Sequence, residues 1–242
     1  MEKNIFQIYH DKTLIPNYVK NNILQLNPGY DFYFIDFEEG KNIIKKHFEK
    51  DYAEKICNTI DILPRYCHKS DLLRYCLLYI FGGVYIDCDL KPLVPFEKFI
   101  NGNVTFFTSF GRGASKFICN TKNGDKIIDR IMANGVIASK RNNCLLLKLI
   151  NYSINNIIDK NPDNRGTNIL FLYNLLSKYC NTENNQIEPF KYYEIDDNII
   201  YLITQYDTVT YGKNCFIDED NNVLININDN EYCFKRQTSS FL

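Results

Sequence analysis

Apolar positions along the chain switch between two spacings, and the switches mark out an α/β protein. An apolar run at about 4–9 predicts a strand, which leads through Ile15-Pro16 to a helix with the proline near its first turn. Asn27-Pro28-Gly29 stops that helix. Tyr30-Asp31-Phe32-Tyr33-Phe34-Ile35 is aromatic and partly alternating, which predicts a second strand. Helical segments are expected across roughly 38–60. Leu72, Leu73, Cys76, Leu77 and Ile80 then recur at helical spacing and predict a helix at about 64–80 with one buried stripe. Strands are expected near 104–109 and 131–138, and helices near 142–159 and 167–180. From about Gln186 short strands take over, such as Ile199–Tyr201 and Val223–Ile227. Strand-helix alternation early and β-rich structure late predict an α/β sheet with an antiparallel extension. No repeat or long linker divides it, so 1–242 is expected to be one domain.

The candidate chemistry lies where the helix at 64–80 hands over to a strand. Ser70-Asp71-Leu72-Leu73-Arg74-Tyr75 places an acid and a base three residues apart, on one face of the helix. Gly82 stands where a helix end needs positive φ. Val84-Tyr85-Ile86-Asp87-Cys88-Asp89 follows as a strand. Asp87 and Asp89 are two apart, so an extended backbone would aim both carboxylates the same way, with Cys88 turned to the opposite, buried side. Paired carboxylates repel unless a cation lies beside them, and hard oxygen ligands favour Mg²⁺ or Mn²⁺ shared with substrate phosphates. An isolated D-x-D is common, and an Asp/Arg pair on a helix is most often a surface ion pair. The ordered combination S-D-x-x-R-Y, G-G-x-Y, D-x-D is much more specific.

That combination resembles the DXD-containing glycosyltransferase family. The family includes yeast-type initiating α-1,6-mannosyltransferases, the mannosyltransferases of inositol phosphorylceramide, bacterial capsule and lipopolysaccharide enzymes and, more distantly, clostridial glucosylating toxins. The resemblance covers roughly Leu63–Leu93 strongly and extends from Asn4 to about Cys180. It implies a GT-A fold, a Rossmann-like mixed sheet flanked by helices, binding a nucleotide-sugar (UDP- or GDP-linked) whose diphosphate is bridged by Mn²⁺ or Mg²⁺. It makes Asp89 the principal metal ligand. Asp87 would touch the ribose and sugar or reach the metal through water. Asp71 and Arg74 would bond sugar hydroxyls, and these four residues form the catalytic set. Tyr85 joins the donor-binding set.

Other matches are more scattered. Ile5-Phe6-Gln7-Ile8-Tyr9 looks like the family's opening strand, usually I-H-Q-I-W, with Tyr9 where an aromatic can stack on the base. Phe6 replaces the histidine. Asn134 resembles the residue before the family's acceptor-side helix and is assigned to the donor. Arg165-Gly166-Thr167 stands where many members have T-G-P. Members often end in a His-containing strand and S-W; here Ser240-Phe241 stands for S-W, and no histidine accompanies it. Lys235 and Arg236 are candidates for diphosphate contacts, or form a solvated basic tail.

Composition narrows the partners. A net charge of −1 without long charge runs argues against nucleic acid bound by phosphate neutralisation. Hydrophobic content of 45% and aromatic content of 14% fit a globular protein. Nine scattered cysteines without C-x-x-C point to reduced thiols rather than zinc or a disulfide framework. No signal peptide or 18-residue apolar run is found, so a cytoplasmic location is expected, with peripheral membrane association left open. The expected activity is metal-dependent, retaining hexosyl transfer to a hydroxyl of a glycan, lipid or protein. Two rival readings stand beside it. One is a haloacid-dehalogenase-type phosphatase, which also has an apolar strand before D-x-D. The other is a non-catalytic nucleotide-sugar or glycan-binding module on the same fold. Oligomeric state leaves no mark.

Overall fold

In the computed structural model, residues 1–100, 102–121, 124–157, 190–206, 215–217, 219–220 and 222–227 are described. The first half alternates as its apolar spacing predicts: β1 (Asn4–Ile8), α1 (Asn17–Leu26), β2 (Asp31–Ile35), α2 (Phe37–His47), α3 (Lys50–Ile62), α4 (Tyr66–Phe81) and β3 (Gly83–Ile86). Then come β4 (Leu90–Pro92), β5 (Phe106–Thr121), β6 (Gly124–Ser139) and α5 (Cys144–Ile157). β7 (Tyr192–Ile195), β8 (Asn198–Tyr206), β9 (Cys215–Ile217) and β10 (Val223–Ile227) complete the described elements. The helix expected at 167–180 lies outside the described residues.

The strands form one mixed sheet in the order β2-β1-β3-β6-β5-β8-β9-β10-β4, with β7 paired to β8. β1 lies parallel to β2 and to β3, while β6 is antiparallel to β3. The late strands therefore belong to the main sheet rather than to a separate layer. β10 closes on β4 with Ile227 opposite Leu90 and Asn226 opposite Lys91.

Both faces of the sheet are covered. Phe6, Tyr85, Ile137, Ile200 and Leu202 pack under α2 to α5. Their strand neighbours Ile5, Val84, Ala138, Tyr201 and Ile203 turn to the other face, where Val19 and Ile23 of α1 join Phe96 and Phe99. Alternation at period two thus feeds two cores from the same strands.

The stripe expected on α4 is wider than its spacing suggested. Every residue from Leu72 to Leu78 is buried, Arg74 and Tyr75 included. The helix lies between the sheet and its neighbours α2, α3 and α5, so little of its middle turn meets water. Gly82 ends it at φ +65° and Gly83 follows at φ +110°. A Cβ on Gly83 would run into the Asn4 carbonyl, so β1 can approach β3 only over a glycine. No helix among the described residues is long and apolar enough to cross a membrane.

Candidate active site

From β1 the chain leaves through α1 to β2 on one side, then returns through α2, α3 and α4 to β3 on the other. The carboxyl ends of β1 and β3 therefore border a topological switch point, where open α/β sheets hold ligands. Tyr9 follows β1 there, and Asp87 follows β3.

The D-x-D is not extended. β3 ends at Ile86, Cys88 and Asp89 lie in a turn, and the Leu90 amide donates to the Asp87 carbonyl at 3.1 Å. The expectation of two carboxylates alternating along a strand is corrected accordingly. Asp takes the first position of such turns readily, and the turn lets the chain enter β4 beside β10. Cys88 is buried as expected, its thiol directed to the Ile8 carbonyl at 3.7 Å. Asp87 and Asp89 both remain partly exposed.

Arg74 gathers the other site residues. Its Nε donates to the Ser70 carbonyl at 3.2 Å, and Nη1 donates to the Asn134 carbonyl. Nη2 lies 3.0 Å from Asp71 Oδ1 and 3.4 Å from Asp87 Oδ1. The guanidinium sits over the Tyr85 ring, 4.3 Å from its centroid. The Tyr85 hydroxyl donates to Asp87 Oδ1 at 2.6 Å. Asp71, Arg74, Tyr85, Asp87 and the Asn134 main chain thus form one unit across α4, β3 and β6. The ion pair is not the surface kind: the Arg74 side chain is 5% exposed and Asp71's 21%.

Burial pushes the Asp71 carboxyl up to about 6, with Arg74 opposing the rise and Asp87 adding to it. Burial works against the Arg74 charge, and Tyr85, Asp87 and Asp71 outweigh it, so its pKa rises and it stays protonated. The Tyr85 hydroxyl is held well above its usual range, chiefly by burial. The buried Asn134 amide borders Asp71 and Tyr75 and lowers the pKa of each. Neither of its polar side-chain atoms makes a hydrogen bond of full geometry.

Tyr9 stands across the crevice, its pKa raised by burial and then by the charges of Cys88, Asp89 and Asp11. Its ring lies 4.5 Å from His10, and His10 stacks on Tyr66 at 4.6 Å and 4°. Ser240, Lys235, Arg236 and Arg165-Gly166-Thr167 lie outside the described residues. β10 ends at Ile227 opposite Leu90, one residue past Asp89.

Two contributors escaped the sequence reading. The Gly135 carbonyl accepts the Asp87 amide at 2.8 Å. Gln7, fully buried, donates from Nε2 to the Asp87 carbonyl at 3.4 Å. A glutamine inside an apolar strand was the available signal for the second; nothing in the sequence marks the first.

Among the described residues no cluster of three or more His, Cys, Asp or Glu converges as a complete metal site. The donors present, two partly exposed carboxylates at a crevice mouth, fit Mg²⁺ or Mn²⁺, which keeps water and substrate phosphate in its shell.

The comparisons with known proteins give the class of protein to which this fold belongs. Residues 16–106 match the family described as glycosyltransferase sugar-binding region containing DXD motif. An uncharacterized glycosyltransferase of Acanthamoeba polyphaga mimivirus is 30% identical over 183 residues, covering 70% of this chain and 68% of that protein. The chain belongs to the DXD-containing glycosyltransferase family. The initiation-specific alpha-1,6-mannosyltransferase of Schizosaccharomyces pombe is 30% identical over 74 residues, which are 31% of this chain and 19% of that enzyme. Among solved structures, the PaToxG glycosyltransferase superposes with a TM-score of 0.50 at 17% identity, covering 74% of this chain and 72% of its own, a likeness of fold.

Proposed function

We propose that this protein moves a hexose from a UDP- or GDP-sugar to a hydroxyl of a glycan, lipid or protein acceptor, with the anomeric configuration retained. The carrying observation is the joining of Asp71 and Asp87 through Arg74 at the switch point, with Asp89 beside them. Residues 1–242 are read as a single catalytic domain, a reading supported by one sheet running from β1 to β10.

Asp89 would hold Mn²⁺ or Mg²⁺, with Asp87 reaching it through water or bonding the ribose. The metal would supply Lewis-acid stabilisation of charge on the departing diphosphate. Asp71 accepts a hydrogen bond from a sugar hydroxyl, and the Asn134 amide offers the neighbouring donor and acceptor. Tyr9 gives the base a stacking surface. Together they orient C1 toward the acceptor. The acceptor oxygen attacks C1 from the leaving-group face, the C1–O bond to phosphate breaks, and the acceptor proton passes to the leaving phosphate oxygen. No side-chain base is required.

The test is release of nucleoside diphosphate from a panel of UDP- and GDP-sugars, with Mn²⁺ or EDTA, for wild type and Asp89→Ala. Metal-dependent release from one donor, lost in a folded Asp89→Ala protein, is expected. Full activity in that variant or in EDTA would overturn the metal role. Tight metal-dependent binding without release would favour a binding module.

A further inference from the structure

We infer that Gln7 is a positioning residue for the D-x-D. From β1 it fixes the turn that carries Asp87 and Asp89, and so sets how tightly the site holds a divalent cation with a nucleoside diphosphate, while touching neither. The inference rests on the transferase reading above.

β1 is paired unevenly on its two edges. Toward β2 it stays in register through Ile8–Ile35, and the Tyr9 amide still donates to the Ile35 carbonyl at 3.2 Å. Toward β3 it pairs at Ile5–Val84 and Phe6–Tyr85. One step further the Gln7 side chain takes over, with Nε2 donating to the Asp87 carbonyl at 3.4 Å. The tether is reciprocal, because the Cys88 thiol reaches back to the Ile8 carbonyl at 3.7 Å. The Asp87 carbonyl also accepts the Leu90 amide at 3.1 Å, which makes Cys88 and Asp89 the central residues of the turn. Gln7 thus bonds the atom on which the turn closes, where β1 and β3 part to open the crevice.

Packing alone does not require a glutamine there. Gln7 is fully buried in a strand whose neighbours Ile5, Phe6 and Ile8 are apolar, and its Oε1 makes no hydrogen bond among the described residues. A buried acceptor without a partner is destabilising. An apolar side chain of similar size would remove it and would leave the Asp87 carbonyl its bond from Leu90. The position therefore favours an apolar residue for stability, yet holds an amide aimed at the D-x-D main chain. Orientation of the carboxylates accounts for that, since groups behind a metal ligand tune its affinity.

Stability and metal affinity should then move apart. Thermal unfolding without metal, and calorimetric binding of UDP and GDP with Mn²⁺ titrated, would be measured for wild type, Gln7→Met and Gln7→Leu. The expected result is an unchanged or higher Tm in both variants, with the Mn²⁺ concentration for half-saturation raised about tenfold or more. Gln7→Leu carries the test if Gln7→Met fails to fold. Wild-type Mn²⁺ half-saturation in a folded variant would overturn the inference. So would a lower Tm or failure to fold in both variants, the mark of a residue needed for packing. If wild type binds neither nucleoside diphosphate with Mn²⁺, the transferase reading itself falls, and this inference with it.

Discussion

The Asp87 amide donates to the Gly135 carbonyl at 2.8 Å, and a side chain on Gly135 would press on Asp87 and Leu90. A Cβ there would lie 3.2 Å from Asp87 Oδ2 and 3.0 Å from Leu90 Cδ1. Gly135→Ala should fold, with stability reduced by about 1–3 kcal/mol from overpacking, while activity falls about tenfold or more because a displaced carboxylate misaligns the donor. Thermal unfolding alongside donor turnover checks this; an unchanged turnover number would show that Asp87 tolerates the displacement.

Asp71 makes the pH dependence predictable. Its carboxyl is raised from 3.8 to about 6 in the folded protein, first by burial. The folded state therefore holds this proton more tightly than the unfolded chain. The resulting stability is present below about pH 4 and is lost as pH rises through about 6, on the order of 3 kcal/mol in the metal-free protein. Denaturant unfolding from about pH 4.5 to 7.5 should show that decline in wild type and its absence in Asp71→Asn. In catalysis the sign reverses, because the carboxylate is the acceptor: kcat/KM should fall on the acid side near pH 6, with that limb missing in Asp71→Asn.

Tyr9 offers a ring without depending on its hydroxyl. Tyr9→Phe should leave the donor KM near wild type, and Tyr9→Ala should raise it about tenfold, in line with the worth of one base-aromatic stack. An equal loss in both variants would assign the effect to the hydroxyl beside Asp89.

The support of the site can be tested away from the crevice. A Cβ on Gly40 of α2 would approach Leu73 Cδ2 and Cδ1 of α4 at 2.5 and 2.6 Å. Gly40→Ala should cost about 1–3 kcal/mol. Leu73 precedes Arg74, so a shift of α4 should also weaken metal-dependent nucleoside diphosphate binding. Unchanged melting would mean that the Leu73 side chain swings clear.

The helix and strand around the D-x-D were legible because local rules define them: a 3.6-residue apolar spacing, a glycine stop, a short apolar strand. The turn at Cys88-Asp89 was not, because D-x-D after a strand reads equally well as strand continuation. What decides it is β10, more than 120 residues away in sequence, which takes Leu90–Pro92 as its partner. The burial of Arg74 was hidden for the same reason. An Asp/Arg pair three apart is the same sequence on a wet or a dry helix face, and only the packing of α4 against the sheet, α2, α3 and α5 makes it dry.

The sequence by itself determined the family, the alternation of strands and helices as far as β3, and the residue types on which the chemistry depends, since each follows from spacing or from an ordered motif. The tertiary structure alone decided that Asp71, Arg74, Tyr85 and Asp87 are one connected unit, and that Gly135 and Gln7 hold its main chain. The contacts that tie this unit to the rest of the sheet are long-range, 60 residues apart for Arg74–Asn134 and 80 for Gln7–Asp87. Such proximity comes from strand order across a switch point, which no local pattern encodes.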